Sequence, residues 1–210
     1  MTLFMGIAGA SGSGKTTIAR YLIEKLGEIN PTLTGIAIST DDYYKNQSEI
    51  SFEQRVRVNY DNPKAIDSRF MIRQLTDLRG RSSIEKPTYD FVQHTRSGKV
   101  ERIDPVDLII LEGIFALVYK ELNDQMDYRI FVRTHPGISV ARRIERDVKE
   151  RGRTVEQSTN QIITQVIPGY EEFVKPTEEN ANFSINWNGD TKREARGLYS
   201  LLHEHFNNKR

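Results

Sequence analysis

A glycine-rich segment near the amino end of the chain, GASGSGKT at residues 9–16, limits the fold more than any other part of the sequence. It fits the pattern G-x-x-x-x-G-K-[ST]. An apolar run at residues 3–8 precedes it and predicts a buried strand, and Ile18, Leu22 and Leu26 follow it at helical spacing. A strand, such a loop and a helix together surround an anion with backbone N–H groups. The sequence therefore predicts a phosphate-binding loop.

The residue types in this loop suit a nucleoside triphosphate bound with a metal ion. Lys15 can bridge the β- and γ-phosphates, and the Thr16 hydroxyl can ligate Mg²⁺. The predicted nucleotide-binding residues are Gly9, Ser11, Gly12, Ser13, Gly14, Lys15, Thr16 and Thr17. A guanine-specific Asn-Lys-x-Asp segment is missing, as is the Leu-Ser-Gly-Gly segment of transporter ATPases. Both absences argue against those two classes of nucleotide-binding protein.

Strand-like and helix-like segments alternate along the rest of the chain, which predicts a parallel sheet covered by helices. Further strands are expected at residues 34–39, 107–112, 128–132 and 183–187. Gly27 and Gly80 are expected to end the first two long helices, and Asp190 to cap the last one. We expect an α/β fold of the P-loop NTPase type, with three layers (α/β/α), as a single domain over residues 1–210.

Two segments are expected to stand beside this core. Residues 84–103 have a period close to two with a turn at Ser97–Gly98, which predicts a small β-hairpin insertion. Residues 139–160 form a predicted basic helical lid. Its apolar stripe is formed by Ile138, Ala141, Ile144 and Val148. Its opposite side carries Arg142, Arg143, Arg146 and Lys149, so we expect the basic residues on the free face.

Charge and composition exclude several partners and compartments. The formal net charge is +1, which gives no global attraction to nucleic acid or to a membrane surface. Cysteine is absent, and neither an N-terminal signal segment nor an apolar run of about 20 residues is visible. We expect a cytoplasmic protein that binds neither nucleic acid nor a membrane.

Two adjacent carboxylates, Asp41 and Asp42, follow the second predicted strand. They lie at the carboxyl edge of the sheet, where doubly wound folds bind their ligands. One of them could take the proton of an acceptor hydroxyl, or both could cap the next turn. Position alone leaves the two interpretations open.

Seven segments, in order along nearly the whole chain, resemble the uridine kinase (uridine–cytidine kinase) family of the phosphoribulokinase-like superfamily. They are GASGSGKTT at 9–17, STDDYYK at 39–45, SFEQRVRVNYDNPKAID at 51–67, KPTYDFVQHTR at 86–96, LEG at 111–113, ARRIERDVKERGR at 141–153 and YEEFVKPT at 170–177. The resemblance implies transfer of a phosphoryl group from ATP or GTP, with Mg²⁺, to the 5′-hydroxyl of uridine or cytidine. It also implies a homo-oligomer, a tetramer in that family.

The same resemblance implies roles for individual residues. The implied catalytic residues are Asp41, Lys15, Arg146 and Arg151. The implied nucleoside-binding residues are Asp41, Tyr44, Tyr60, Asp61, Tyr89, Phe91, His94, Arg143, Arg146 and Gln161. The metal ligands are Thr16, Asp41 and Glu112, and Arg153 joins the nucleotide-binding residues.

Other functions and one departure from the family pattern stay open at this point. The alternatives are a related kinase for a sugar phosphate or pantothenate, and a nucleotide-binding regulator without kinase activity. Residues 186–190 replace a family loop near the donor base, so the donor preference is open. Within that loop, Trp187 is either a stacking surface or a hydrophobic plug.

Overall fold

Five parallel strands form the central sheet of the protein, in the order β2-β5-β1-β6-β7. The computed structural model describes residues 2–188 and 191–207, with residues 191–194 described by their backbone alone. The strands of this sheet are β1 (Leu3–Gly9), β2 (Gly35–Ser39), β5 (Leu108–Glu112), β6 (Tyr128–Arg133) and β7 (Phe183–Asn186). A separate antiparallel pair is formed by β3 (Ile84–Asp90) and β4 (Thr95–Ile103).

Helices follow most of the strands. They are α1 (Lys15–Ile29), α2 (Phe52–Val56), α3 (Ser68–Arg79), α4 (Lys120–Asn123), α5 (Pro136–Glu150), α6 (Val155–Gln161), α7 (Ile167–Gly169) and α8 (Thr191–Asn207). Two π-helical segments, Ile162–Val166 and Tyr170–Val174, flank α7. A short 3-10 turn, Thr40–Tyr43, follows β2.

Side chains of the central strand β1 alternate between two cores. Phe4 and Ala8 pack on the face that is covered by α3, which buries Met71, Leu75 and Leu78. Leu3, Met5 and Ile7 pack on the opposite face with α1 and α8. Because a strand presents successive residues to opposite faces, β1 is buried on both sides. The predicted three-layer α/β/α architecture is confirmed.

Parallel pairing brings the ends of three strands to one edge of the sheet. Ile7 of β1 and Ser39 of β2 are both in register with Glu112 of β5. The loop after β1 and the 3-10 turn after β2 therefore begin beside Glu112. This edge is the place where the predicted site residues can meet.

The antiparallel pair corrects the predicted position of its turn. Phe91–His94 connect β3 to β4, whereas Ser97 and Gly98 lie within β4. From Pro87 to Tyr89 the facing residues of β4 run from Val100 to Arg96, so β4 carries two extra residues at this irregularity. Ser97 and Gly98 lie at this irregularity, and Gly98 has φ +77°, so the glycine that predicted a turn belongs to a bulge within the strand.

Helix α5 is rotated about its axis relative to the prediction. The prediction that its basic residues lie on the free face is wrong for Arg143, which is buried. Its buried residues are Ser139, Arg143 and Asp147, whereas Ala141 and Val148 are exposed. The helix therefore packs through a polar and charged stripe. The amphipathic pattern misled because it assumes an apolar interface.

Other expected boundaries differ only slightly. Helix α1 passes through Gly27 to Ile29, and Gly80 caps α3 as predicted. The expected cap Asp190 lies outside the described residues. Over the described part of the chain, no helix combines the length and the apolar character that a bilayer span requires.

Candidate active site

A cleft opens at the carboxyl edge of the sheet, and most of the predicted site residues line it. The predicted residues that line it are Ser11, Lys15, Thr16, Asp41, Tyr44, Tyr60, Asp61, Tyr89, Phe91, His94, Glu112, Arg143, Arg146, Arg151, Arg153 and Gln161. The other predicted residues do not line the cleft: Gly9 ends β1, and Gly12, Ser13, Gly14 and Thr17 belong to the adjoining loop and first helical turn. We call this space the central cleft.

The loop between β1 and α1 needs glycine at two places where the chain is crowded. Gly12 has φ +79°, and a Cβ atom there would lie 2.2 Å from the carbonyl oxygen of Ser139. Gly14 has φ +97°, and its Cβ would lie 2.4 Å from the ring of Trp187. Within the described structure no side chain caps the N-terminus of α1. Its first N–H groups therefore remain available to an anion.

Lys15 is buried at the start of α1 with neutral acceptors. Its Nζ donates to the carbonyl oxygen of Ala10 at 2.7 Å and to Ser13 Oγ at 3.5 Å. Burial lowers the pKa of Lys15 to about 8, while Glu112 opposes the shift. A buried cation that is only partly compensated favours an anionic ligand.

Thr16 and Glu112 bring hard oxygen donors together. The Thr16 hydroxyl donates to Glu112 Oε1 at 3.1 Å. Burial raises the pKa of Glu112, although Lys15 acts in the opposite direction. No cluster of three or more His, Cys, Asp or Glu able to hold a metal occurs in the described ranges 2–188 and 191–207. The donor set fits Mg²⁺, which usually takes one or two carboxylates and completes its shell with phosphate and water.

The adjacent carboxylates Asp41 and Asp42 face different surroundings. Ser39 Oγ accepts the backbone N–H of Asp41 at 3.2 Å, so the cap of the 3-10 turn is a serine. Asp41 lines the central cleft. Asp42 instead accepts from Lys86 Nζ at 2.8 Å. Of the pair, Asp41 is the carboxylate that a ligand in the cleft can reach.

An aromatic wall of Tyr44, Tyr60, Tyr89 and Phe91 lines part of the cleft. The ring centroids of Tyr44 and Tyr60 are 5.0 Å apart, and those of Tyr44 and Tyr89 are 5.1 Å apart. Phe91 is 36% exposed and lies 5.3 Å from Tyr89. The buried Tyr89 hydroxyl has no hydrogen-bond partner among the residues that the structure describes. Such a wall suits a flat, partly polar ligand.

His94 stands at the edge of this wall, in the turn between β3 and β4. Its ring centroid is 5.5 Å from that of Tyr60. Burial lowers the pKa of His94, and Arg153 and Arg151 lower it further. The imidazole is therefore neutral at pH 7 and can both donate and accept a hydrogen bond.

Asp61 is a buried carboxylate between the aromatic wall and α5. It is 5% exposed, and its Oδ1 lies 3.5 Å from Arg143 Nη1. Burial raises its pKa, while Arg143 lowers it. Gly169 packs against its backbone, where a Cβ atom would lie 2.4 Å from the Asp61 carbonyl oxygen. The surrounding structure thus fixes a strong acceptor inside the cleft.

Arginines from α5 and the segment after it cover the cleft. Ser11 Oγ accepts from Arg143 Nη1 at 2.9 Å and from Arg146 Nη2 at 3.1 Å. The Arg151 guanidinium lies 4.9 Å from the centroid of the Phe91 ring. The covering segment therefore contacts both the phosphate loop and the aromatic wall.

Sequence reasoning missed three lining residues, which are Ser39, Gly113 and Ile114. Gly113 has φ +151°, and a Cβ atom there would lie 1.9 Å from Thr40 Oγ1. Its position directly after Glu112 was a usable signal, because a glycine at the end of a buried strand often marks a close backbone approach. Nothing in the sequence distinguishes Ile114.

The loop expected near the donor base is described only as far as residue 188. Trp187 is 2% exposed and packs in the core with α1 and α8, which favours the hydrophobic plug. Thr134 Oγ1 donates to the carbonyl oxygens of Ser13 and Trp187, at 3.0 and 3.2 Å. Trp187 thus packs beside Gly14 and is linked to the phosphate loop through Thr134.

Known proteins resemble this chain over most of its length. The model of the phosphoribulokinase/uridine kinase family matches residues 4–193. A uridine kinase from Staphylococcus epidermidis is 44% identical over 191 residues, covering 91% of this chain and 90% of the relative. A uridine kinase from Ligilactobacillus salivarius is 40% identical over 190 residues, covering 90% and 87%. The solved phosphoribulokinase from Rhodobacter spheroides has a similar fold, with a TM-score of 0.66 at 16% identity over 88% of this chain and 70% of that chain.

Proposed function

Because the chain belongs to the phosphoribulokinase/uridine kinase family and is a kinase, we propose that it transfers the γ-phosphoryl group of ATP or GTP to the 5′-hydroxyl of uridine or cytidine. The products are UMP or CMP and the nucleoside diphosphate. The observation that carries the proposal is a single cleft that is lined by residues of the phosphate loop, by Asp41 and by the aromatic wall. The relatives named uridine kinase support the choice of acceptor.

On the donor side, the chain binds the triphosphate with backbone and cationic groups. The N–H groups of the loop and of the first turn of α1 hold the phosphates, and Lys15 lies among them. Mg²⁺, held by Thr16, Glu112 and Asp41, would neutralise part of the phosphate charge. Arg143 and Arg146, which already contact Ser11, stabilise the charge that spreads over the transferred group.

On the acceptor side, the aromatic wall binds the base and the buried carboxylate binds the sugar. Asp61 accepts hydrogen bonds from the ribose 2′- and 3′-hydroxyls, for which an ionised carboxylate is a suitable acceptor. His94 hydrogen-bonds the polar edge of the pyrimidine. Asp41 takes the proton of the 5′-hydroxyl as the new O–P bond forms. No covalent enzyme intermediate is needed.

A coupled kinase assay tests the acceptor. We expect turnover of uridine and cytidine well above that of pantothenate and ribulose 5-phosphate, with ATP and GTP compared as donors. Equal turnover of pantothenate or the sugar phosphate contradicts the nucleoside assignment and favours the related kinases. Triphosphate hydrolysis without any accepted substrate favours a regulator.

The deoxynucleoside tests the ribose contact separately. A site built to hydrogen-bond a hydroxyl rejects the analogue that lacks it, by about 10⁴-fold when its partners stay buried and unpaired. We expect kcat/KM for 2′-deoxyuridine to fall towards that extent. Equal use of uridine and 2′-deoxyuridine removes Asp61 from its proposed role.

A further inference from the structure

Asp147 of α5 is a buried carboxylate to which sequence reasoning gave no function. Its side chain is 0% exposed, and Ser158 Oγ donates to its Oδ2 at 3.0 Å. Guanidinium nitrogens of four arginines lie within 4 Å of its oxygens. They are Arg143 Nε at 3.5 Å, Arg146 Nε at 3.9 Å, Arg151 Nη1 at 3.3 Å and Arg153 Nη1 at 3.2 Å. The buried carboxylate of Asp147 therefore lies among four guanidinium groups.

The backbone of Asp147 holds the same segment. Its carbonyl oxygen accepts the N–H of Arg151 at 3.2 Å and that of Arg153 at 3.1 Å. Gly152, between these two arginines, has φ +65°. The chain therefore turns back at the end of α5 and directs Arg151 and Arg153 towards the Asp147 side chain.

All four arginines also line the central cleft. Arg143 and Arg146 donate to Ser11 of the phosphate loop. Arg151 lies over Phe91 of the aromatic wall, and Arg153 Nη1 donates to Gln161 Oε1. Asp147 itself does not line the cleft. Any effect of Asp147 on a ligand therefore passes through the arginines.

Electrostatics gives Asp147 a specific task. Burial raises the pKa of Asp147, but the four arginines lower it by more than burial raises it. The net shift is downward, so the carboxylate is ionised at neutral pH. Four guanidinium groups repel one another when nothing negative lies between them. With Asp147 ionised they can remain close together and still leave excess positive charge for a phosphate.

We propose that Asp147 is a positioning residue for phosphoryl transfer, which holds the four arginines in the geometry that faces the phosphate loop and the aromatic wall. The proposal rests on the proposed function of the cleft. It differs from a purely structural role, because Asp147 then matters to the rate of the folded enzyme as well as to its stability.

Asp147→Asn removes the charge with little change in shape. Glu145→Gln is the matched control, since Glu145 is an exposed carboxylate on the same helix that pairs with Lys149. At a temperature where circular dichroism shows the variant folded, we expect kcat for uridine to fall by about 10- to 100-fold, the size of a misplaced catalytic group. The control stays within about threefold of wild type. A folded Asp147→Asn enzyme with an unchanged kcat overturns the proposal.

A double-mutant cycle separates positioning from general damage. In an Arg151→Ala background, the same Asp147→Asn change should cost less than in wild type, because one of the groups that it positions is already gone. Fully additive losses overturn the proposal.

If Asp147→Asn does not fold, the variant Ser158→Ala tests the proposal instead, because it removes one hydrogen bond to Asp147 and keeps the charge. A loss of more than about threefold in kcat supports positioning, and an unchanged kcat contradicts it.

The readouts also separate this proposal from the proposed function. Wild-type turnover of uridine tests the function, whereas the ratio of variant to wild type tests Asp147 with whichever acceptor the wild type uses. Calorimetric binding of the non-hydrolysable ATP analogue AMP-PNP with Mg²⁺ depends on no acceptor. We expect Asp147→Asn to weaken it by about tenfold, and equal affinities in variant and wild type count against the proposal.

Discussion

Ser39 caps the turn after β2, so Asp41 is free to serve a ligand, whereas the neighbouring Asp42 is held by Lys86. Asp41→Asn is therefore expected to lower kcat by about 10²- to 10⁴-fold, the range for removal of a general base. Asp42→Asn is the matched comparison and should act mainly on stability. Steady-state kinetics on folded protein measures both. Near wild-type turnover of Asp41→Asn shows that Asp41 has another role.

At His94, the pH dependence follows from a pKa that lies below its ordinary value of 6.5. Acid protonates the imidazole and removes its ability to accept a hydrogen bond, so we expect KM for uridine to rise as the pH falls from about 7 to about 5. The unfolded chain takes up this proton at a higher pH than the folded protein does. The free energy of unfolding therefore falls as the pH drops below 6.5.

His94→Gln is the variant that isolates these effects. It should remove the His94 part of the pH dependence from both KM and the melting temperature while it keeps a polar side chain. Uridine kinetics and thermal unfolding across the same pH series provide the measurement. A KM that rises equally in wild type and variant assigns the acid effect to another group.

Among the elements, the β3–β4 hairpin is joined to the turn that carries Asp41. Lys86 of β3 has a side chain only 9% exposed and pairs with Asp42 at 2.8 Å and with Glu101 at 3.3 Å. Lys86→Gln leaves Asp42 without its close cation. We expect the free energy of unfolding to fall by about 1–3 kcal/mol, below the range for a fully buried pair because Asp42 is partly exposed.

Urea denaturation measures this loss, with Lys99→Gln on β4 as the control because Lys99 is exposed. The control should change the free energy of unfolding by no more than about 0.5 kcal/mol. Equal effects of the two substitutions mean that the pair contributes nothing beyond an ordinary surface charge.

Helix α5 shows why part of the site could not be predicted from the sequence. The strand, loop and helix around Lys15 were predictable because their signals are local, in glycine positions and apolar spacing. The direction of α5 depends instead on Arg143 and Arg146, whose partners Ser11 and Asp61 lie far from them in the sequence. An ionic interface has no apolar stripe, so the pattern pointed Arg143 towards solvent.

In the whole molecule, the central cleft joins the sheet edge, the hairpin and the segment after β6, so ligands should stabilise all of them together. At about 100 times its Kd a ligand adds about 2.7 kcal/mol, which for a chain of this size raises Tm by about 5–10 °C. We expect such a shift with Mg²⁺ and AMP-PNP, and a further one with uridine. Differential scanning calorimetry measures it, and an unchanged Tm at saturation contradicts binding in the cleft.

The homotetramer that the family resemblance implies stays a prediction. Light scattering on a sizing column measures the mass in solution and compares it with the 24.2 kDa of one chain.

Trp187 is the single tryptophan of the chain, and its ring lies against Gly14 of the phosphate loop. Tryptophan fluorescence therefore originates at one known point, beside Gly14 of the loop that is proposed to receive the triphosphate. A nucleotide that shifts the loop changes the emission of this indole, so a titration needs no attached dye. Trp187 is thus an intrinsic fluorescent reporter of nucleotide binding.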